Sequence, residues 1–223
     1  MAELAQLVEK TIKTVEGFYK SFNCDVGMRT EPWLVGIRCL CNFETGGAIC
    51  SSDVELFATI SKIMQPKSIF CVGNAFGYST LIISQLFPQA HLDVIDAETE
   101  GKDNRFGSRI TREIAKKHKL DINLYSGFSP QDTPKALQRQ KYELAFIDGL
   151  HSNEQLLKDF RGIHPYLSDE CVVVCHDVAL CHLQPAIFDC LSFDSQFEFI
   201  PYVSTNYSNT IGTSILTRKI KFA

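Results

Sequence analysis

The stretch SIFCVGNAFGYS, Ser68 to Ser79, decides how the rest of the chain is read. Apolar or small residues from Ile69 to Gly73 run directly into a loop with a second glycine, Gly77. Leu81, Ile82, Ile83, Leu86 and Phe87 follow at once in an amphipathic segment. The pattern predicts a buried strand, a tight glycine turn and a helix. In an open α/β sheet such a turn lies at the carboxyl edge of the strands, where ligands bind. Glycine there keeps a side chain from blocking a ligand that approaches the backbone.

Working outward, the same rhythm repeats. Leu92 to Ile95 reads as a second strand ending in Asp96, followed by a helix from about Asn104 to His118. Ile122, Leu124 and Tyr125 make a third strand before Ser126-Gly127-Phe128-Ser129, and Thr133-Pro134 opens a short helix. Leu144 to Ile147 is a fourth strand ending in Asp148, with Ser152 and Gln155 capping the helix after it. The fifth, CVVVC from Cys171 to Cys175, is apolar throughout and so buried on both faces; it ends in His176-Asp177. A short helix around Leu183 to Cys190 follows. Phe197 to Val203 and Thr210 to Thr217 then read as an antiparallel pair joined by the polar loop Ser204 to Asn209.

Upstream, Leu4, Leu7, Val8, Ile12, Val15, Phe18, Tyr19 and Phe22 recur at helical spacing, which predicts an amphipathic N-terminal helix. Gly27 to Gly47, which holds the only tryptophan, Trp33, reads as an irregular loop packed on the domain or as a wall beside the substrate. Ser52 and Glu55 read as a capping box for the helix that leads to the first strand. The expectation is one doubly wound α/β domain over residues 1–223, with a helical extension and loop at 1–50 and the α/β core at 51–223.

Bulk properties exclude several classes. With 223 residues, 45% hydrophobic and 22% charged, the chain can bury a proper core and is not disordered. A net charge of −4 argues against a nucleic-acid partner, which wants a basic stripe. No apolar run reaches a membrane span and the N-terminus lacks a signal-peptide core, so a cytoplasmic protein is expected. The nine cysteines, several inside apolar runs (Cys71, Cys171, Cys175), read as small buried hydrophobes in a reducing compartment.

Four strand ends carry groups able to hold a ligand: Gly73-Asn74, Asp96, Asp148 and His176-Asp177. In a parallel sheet they face one crevice. Asp96, at the end of the strand after the glycine turn, stands where an acid accepts hydrogen bonds from ribose hydroxyls. A nucleoside-containing cofactor is therefore expected. The spacing Gly73-x-x-x-Gly77 lacks the G-x-G-x-x-G of a pyrophosphate site, which counts against the alternative, an NAD-type oxidoreductase.

The stretches VGNAFGYSTL, LDVIDAE, SGFS, FIDGLHS and VVVCHDV together resemble the class I S-adenosylmethionine-dependent O-methyltransferases. The branch they look most like is the one related to the catechol, caffeoyl-CoA and antibiotic-sugar enzymes. The resemblance runs from about Thr45 to the C-terminus. It implies a Rossmann-like, mostly parallel seven-stranded sheet with an antiparallel C-terminal strand, and an enzyme that methylates a hydroxyl of a small molecule. Gly73, Asn74, Gly77 and Ser79 would line the methionine part of S-adenosylmethionine. Asp96 would hold the ribose, Ala97 would lie beside the adenine, and Phe128 and Ser129 would bound its other side. Asp148 would lie near the sulfonium and reach a divalent metal (Mg, Mn or similar) together with His176 and Asp177. His151 matches the position of the catalytic lysine in the catechol enzymes. A homodimer is suggested by the related enzymes.

The chain departs from the family pattern at two positions. Cys71 stands where an acid usually helps hold the cofactor's ammonium, and Leu150 replaces the second acid of I-D-G-D-H. These departures keep open a degenerate binding protein on the same fold. His151, with an ordinary pKa of about 6.5, suits the removal of an acceptor's proton. Asp148 and Asp177 supply hard oxygen ligands, whereas an imidazole from His176 shifts preference toward Mn²⁺, Fe²⁺ or Zn²⁺. A rival zinc cluster of Cys175, His176, Cys181 and His182 lacks a C-x-x-C pair.

Overall fold

The computed structural model describes residues 2–28, 34–39, 42–47, 49–99, 105–202 and 212–221. Helix α1 (Ala2–Lys20) leads into β1 (Cys24–Met28), β2 (Leu34–Cys39) and β3 (Asn42–Gly47), which pair as a three-stranded antiparallel sheet. The core follows as α2 (Ser51–Ile63), β4 (Ser68–Val72), α3 (Tyr78–Leu86), β5 (His91–Asp96), α4 (Phe106–His118), β6 (Ile122–Ser126) and α5 (Thr133–Ala136). It continues with β7 (Tyr142–Ile147), α6 (Asn153–Ile163), β8 (Leu167–Cys175), α7 (Gln184–Phe193), β9 (Glu198–Pro201) and β10 (Ser214–Arg218).

The main sheet has seven strands in the order β6-β5-β4-β7-β8-β10-β9. Pairings among β6, β5, β4, β7 and β8 are parallel, while β10 is antiparallel to both β8 and β9. The strand order reverses beside β4, so the crevice opens between the ends of β4, β5 and β7.

Alternation along each strand divides the core in two. Ile69, Cys71, Leu144, Phe146, Val172 and Val174 pack on one face, together with side chains from α1 to α4. Phe70, Val72, Ala145, Ile147, Val173 and Cys175 pack on the other, under α5, α6 and α7. Both faces of these strands are covered, which is why they read as continuous apolar runs. Each large side chain sealed there contributes about 2 kcal/mol.

Several expectations need correction. Residues 24–28, 34–39 and 42–47 are paired strands where the sequence reads as irregular from Gly27. Glycine is a poor strand former, but Gly27 sits opposite Gly36 and Gly46 opposite Val35, so the ladder closes regardless. Trp33, Asn104 and the loop Ser204 to Asn209 lie outside the described residues. Helix α2 begins two residues earlier than expected: Cys50 is its N-cap, and Asp53, not Glu55, accepts the Cys50 backbone N–H at 2.9 Å. Cys71, Cys171 and Cys175 are free and buried as expected, but Cys24 is disulfide-bonded. Among the described residues no helix is long and apolar enough to cross a membrane.

Candidate active site

The opening turn is shaped by contacts that only glycine allows. Gly73 has φ +95°, and a Cβ there would lie 2.1 Å from the Asp148 carbonyl oxygen. Its N–H donates to Ile95 O at 2.8 Å, while Asp148 N–H donates to Val72 O at 2.9 Å, so β5, β4 and β7 end in one closely stitched edge. Gly77, at φ +88°, faces away from the crevice: a Cβ would strike Thr111 Oγ1 of α4 at 2.0 Å. It does not line the cavity. Its part is to let the turn enter α3 against α4.

A cavity of about 530 Å³ opens over this edge. Gly73, Asn74, Ser79, Asp96, Ala97, Phe128, Ser129, Asp148 and His151 all line it, so these sequence-expected residues meet in one place. Asn74 lines it mainly through its backbone, because its amide is tied to Thr111 Oγ1 (3.2 Å) and accepts from Thr80 Oγ1 (2.9 Å). Asp96 accepts the N–H groups of Asn74 (2.6 Å) and Ala75 (3.0 Å) on Oδ2 and that of Glu98 (2.7 Å) on Oδ1. The acid thus holds the glycine turn open, and it retains lone pairs for a ligand. Cys71 is buried, does not line the cavity, and has its thiol proton held tightly by burial. Leu150 is 73% exposed at the cavity lip.

At the β7–β8 end, carboxylates and imidazoles alternate. His151 Nε2 lies 3.1 Å from Asp148 Oδ1, and His151 Nδ1 lies 3.5 Å from Asp177 Oδ2. His176 Nδ1 lies 3.0 Å from Asp148 Oδ1 and 3.4 Å from Asp177 Oδ1. Its Nε2 is 3.3 Å from Asp53 Oδ2 on α2. Burial alone would raise the Asp148 pKa, but the His176 charge and the hydrogen bond with His151 carry it below the usual carboxylate range. Burial likewise works against a charged His176, yet Asp148 and Asp53 hold its pKa well above the ordinary histidine value. The hydrogen bond with Asp148 raises His151 as well. Asp177 shifts upward through burial, and its backbone sits at φ +54°, a costly conformation for a non-glycine residue.

The expected metal trio Asp148, His176 and Asp177 does not form one compact donor group: His176 approaches both acids, but the three ligand atoms do not all lie within 4.8 Å of one another. The compact donor groups are Asp148, His151 and His176, and separately His151, Asp177 and Cys181, with ligand atoms within 4.8 Å of one another in each. The rival set Cys175, His176, Cys181 and His182 does not form a compact group among the described residues. Cys175 belongs to the opposite core face.

Among the polar side chains of the site, several were not anticipated. Asp53 reaches His176 from far away in sequence, Thr99 adds to the cavity wall, and Gln155 and Asp159 enter it from α6. The signal for Asp159 was present: an acid on the apolar-facing side of an amphipathic helix, one turn after Gln155.

Residues 71–178 match the family model described as a methyltransferase domain. The match spans a little under half of the chain. Solved structures share its fold. The O-methyltransferase TomG of Streptomyces achromogenes, involved in tomaymycin synthesis and solved with S-adenosylmethionine, is 15% identical, with a TM-score of 0.63 over 93% of this chain and 89% of that one. An O-methyltransferase of Bacillus cereus, solved with S-adenosylhomocysteine, is 10% identical, with a TM-score of 0.62 over 94% and 91%. The methyltransferase PaMTH1 of Podospora anserina, also bound to S-adenosylhomocysteine, is 16% identical, with a TM-score of 0.58 over 77% and 80%. The matched segment begins within β4 and closes just beyond β8, and every residue that lines the cavity falls inside it.

Proposed function

We propose that this chain is an S-adenosylmethionine-dependent O-methyltransferase acting on a hydroxyl of a small molecule. The observation that carries this reading is the charge of the cavity wall. Asp96, Asp148 and Asp159 line it, and no lysine or arginine does among the described residues. S-adenosylmethionine brings a sulfonium and an ammonium, which such a wall attracts. The pyrophosphate of a nicotinamide dinucleotide would meet carboxylates without a counter-charge. The acids available in the cavity also meet the concern raised by Cys71. When bound, the cofactor supplies a methyl group on a cationic sulfur.

The chain's own residues then orient and deprotonate the acceptor. Asp148 engages His151 Nε2, which leaves Nδ1, on the Asp177 side, to take up the acceptor's proton. Asp177 and Asp148 together stabilise the imidazolium that forms. Leu150 and Phe128 give the mouth an apolar rim. Thermal melting with each ligand decides between the two cofactor classes. S-adenosylhomocysteine should raise the melting temperature and NAD should not, and the reverse pattern overturns the proposal. A protein that binds the cofactor but methylates no hydroxyl in a broad acceptor screen would be a binding protein on a methyltransferase fold.

A divalent ion at Asp148, His176 and Asp177 belongs to the same proposal. His176 Nδ1 and Asp177 Oδ1 are buried atoms without an aligned hydrogen-bond partner among the described residues, as ligands awaiting a cation would be. Each acid stands at ligand spacing from His176 Nδ1, 3.4 Å for Asp177 Oδ1 and 3.0 Å for Asp148 Oδ1, and one ion held by all three requires the two acids to close up, since the three ligand atoms do not all lie within 4.8 Å of one another. When bound, such an ion lowers the pKa of a coordinated hydroxyl. Turnover should fall on chelation and return with Mg²⁺ or Mn²⁺; turnover indifferent to chelator would mean that no ion takes part.

A homodimer in the cytoplasm completes the proposal, without a nucleic-acid or membrane partner. Exposed Phe188, Phe193 and Phe199 leave apolar surface on α7 and β9 that a second copy could cover. Light scattering that returns a monomer mass rejects the dimer. The six free described cysteines favour a reducing compartment, and the Cys24 disulfide opposes it. Thiol counting on protein taken from intact cells decides which prevails.

A further inference from the structure

Asp159 is 2% exposed and yet lines the cavity. A carboxyl sealed in this way costs free energy unless it is fully hydrogen-bonded. Its Oδ1 is well served: Ser129 Oγ–H donates to it at 2.6 Å and Gln155 Nε2–H at 2.8 Å. Gln155 Nε2–H also donates to Ser129 O at 2.8 Å, which locks the loop after β6 onto α6. The other oxygen, Oδ2, accepts no hydrogen bond among the described residues. It faces the end of β7, 3.3 Å from where a Cβ on Gly149 would stand. One oxygen is therefore clamped and one is presented.

The surroundings define what Oδ2 awaits. Ile95, Ala97, Phe128 and Leu150 supply apolar walls of the same cavity. Apolar walls with one polar edge suit a flat heteroaromatic ring that brings a hydrogen-bond donor on its rim. An aminopurine fits that description, whereas a 6-oxo purine puts an acceptor at the same place.

We propose that Asp159 determines the base specificity of the cofactor site, its Oδ2 accepting a hydrogen bond from the exocyclic amine of adenine while Ser129 and Gln155 hold the carboxyl in position. This rests on the cofactor reading above and adds to it a residue that selects the base.

The test compares S-adenosylhomocysteine with its 6-oxo analogue by isothermal titration. Wild-type protein is expected to prefer the adenosyl compound by about 10–100-fold, because the 6-oxo group leaves the carboxyl facing an acceptor. Asp159→Asn is expected to narrow that preference to within about threefold, since an amide can present either a donor or an acceptor. Ser129→Ala, which frees the carboxyl without removing it, is expected to narrow it less, and it serves if Asp159→Asn does not fold. Equal affinity of wild type for the two compounds overturns the proposal while leaving the cofactor reading intact. So does a preference unchanged in the variants. Binding of neither compound to wild type removes the cofactor reading and this one with it.

Discussion

His151 Nε2 stands 3.1 Å from Asp148 Oδ1, at the point where the cavity meets the β8 end of the site. The two residues sit on one short turn and both line the cavity; in the proposed mechanism His151 takes the acceptor's proton while Asp148 holds its other nitrogen. His151→Ala should lower kcat by about 10²–10⁴-fold, the usual contribution of a positioned base. Affinity for S-adenosylhomocysteine, measured by titration, should stay near the wild-type value. An unchanged kcat would remove His151 from the chemistry.

Gly73 and Asp148 are linked through backbone, which makes the turn intolerant of a single methyl group. Gly73→Ala places a Cβ against the Asp148 carbonyl and forces a positive φ on a residue that resists it. The backbone conformation alone costs about 1–3 kcal/mol. Urea unfolding should show at least that loss, and cofactor binding should fall with it. A variant of wild-type stability would mean that the two strand ends are not so closely joined.

Tyr19 ties the N-terminal helix to the glycine turn after β4. Its hydroxyl donates to Phe76 O at 2.7 Å, fully buried, across the boundary between extension and core. Tyr19→Phe leaves that carbonyl without its partner and should cost about 1–3 kcal/mol in urea unfolding. No measurable loss would show that α1 is held by apolar packing alone.

Asp194 and Arg218 pin the end of β10 to the end of α7. Arg218 Nη1–H donates to Asp194 Oδ2 at 3.1 Å, and His164 Nε2 lies 2.8 Å from the same oxygen. Burial would raise the Asp194 pKa, but hydrogen bonds from His164 and the Gln196 N–H, with the Arg218 charge, lower it. A lowered carboxylate contributes stability above its unfolded pKa, about 3.9, and loses it as pH falls through the folded value. Asp194→Asn should therefore cost about 2 kcal/mol near neutrality and less in acid. A variant whose deficit grows as the pH drops would contradict the sign.

The parallel core was legible because its strands are buried on both faces. CVVVC at the end of β8 can be little else, and each strand end carried its polar punctuation in view. Gly73, Asp96, Asp148 and His176 could be gathered from topology alone. Two kinds of feature escaped. The strands of residues 24–47 were hidden because Gly27, Gly36, Gly46 and Gly47 pair across the ladder, where composition suggests a loop. Asp53 was hidden because its partner, His176, is 123 residues away, and a capping box two residues later offered a competing role for that helix start. Gln155 looked like a helix cap and Asp159 like an ordinary helix acid; only the return of α6 toward the loop after β6 puts both in the cavity.

The most direct test of the central claim is isothermal titration of S-adenosylhomocysteine into the purified protein and into Asp96→Ala. We expect one saturable site on the wild-type chain, with affinity in the ~1 μM–1 mM range of ordinary enzyme ligands, weakened at least ~10-fold by Asp96→Ala. A flat titration of the wild-type protein at millimolar ligand would contradict it.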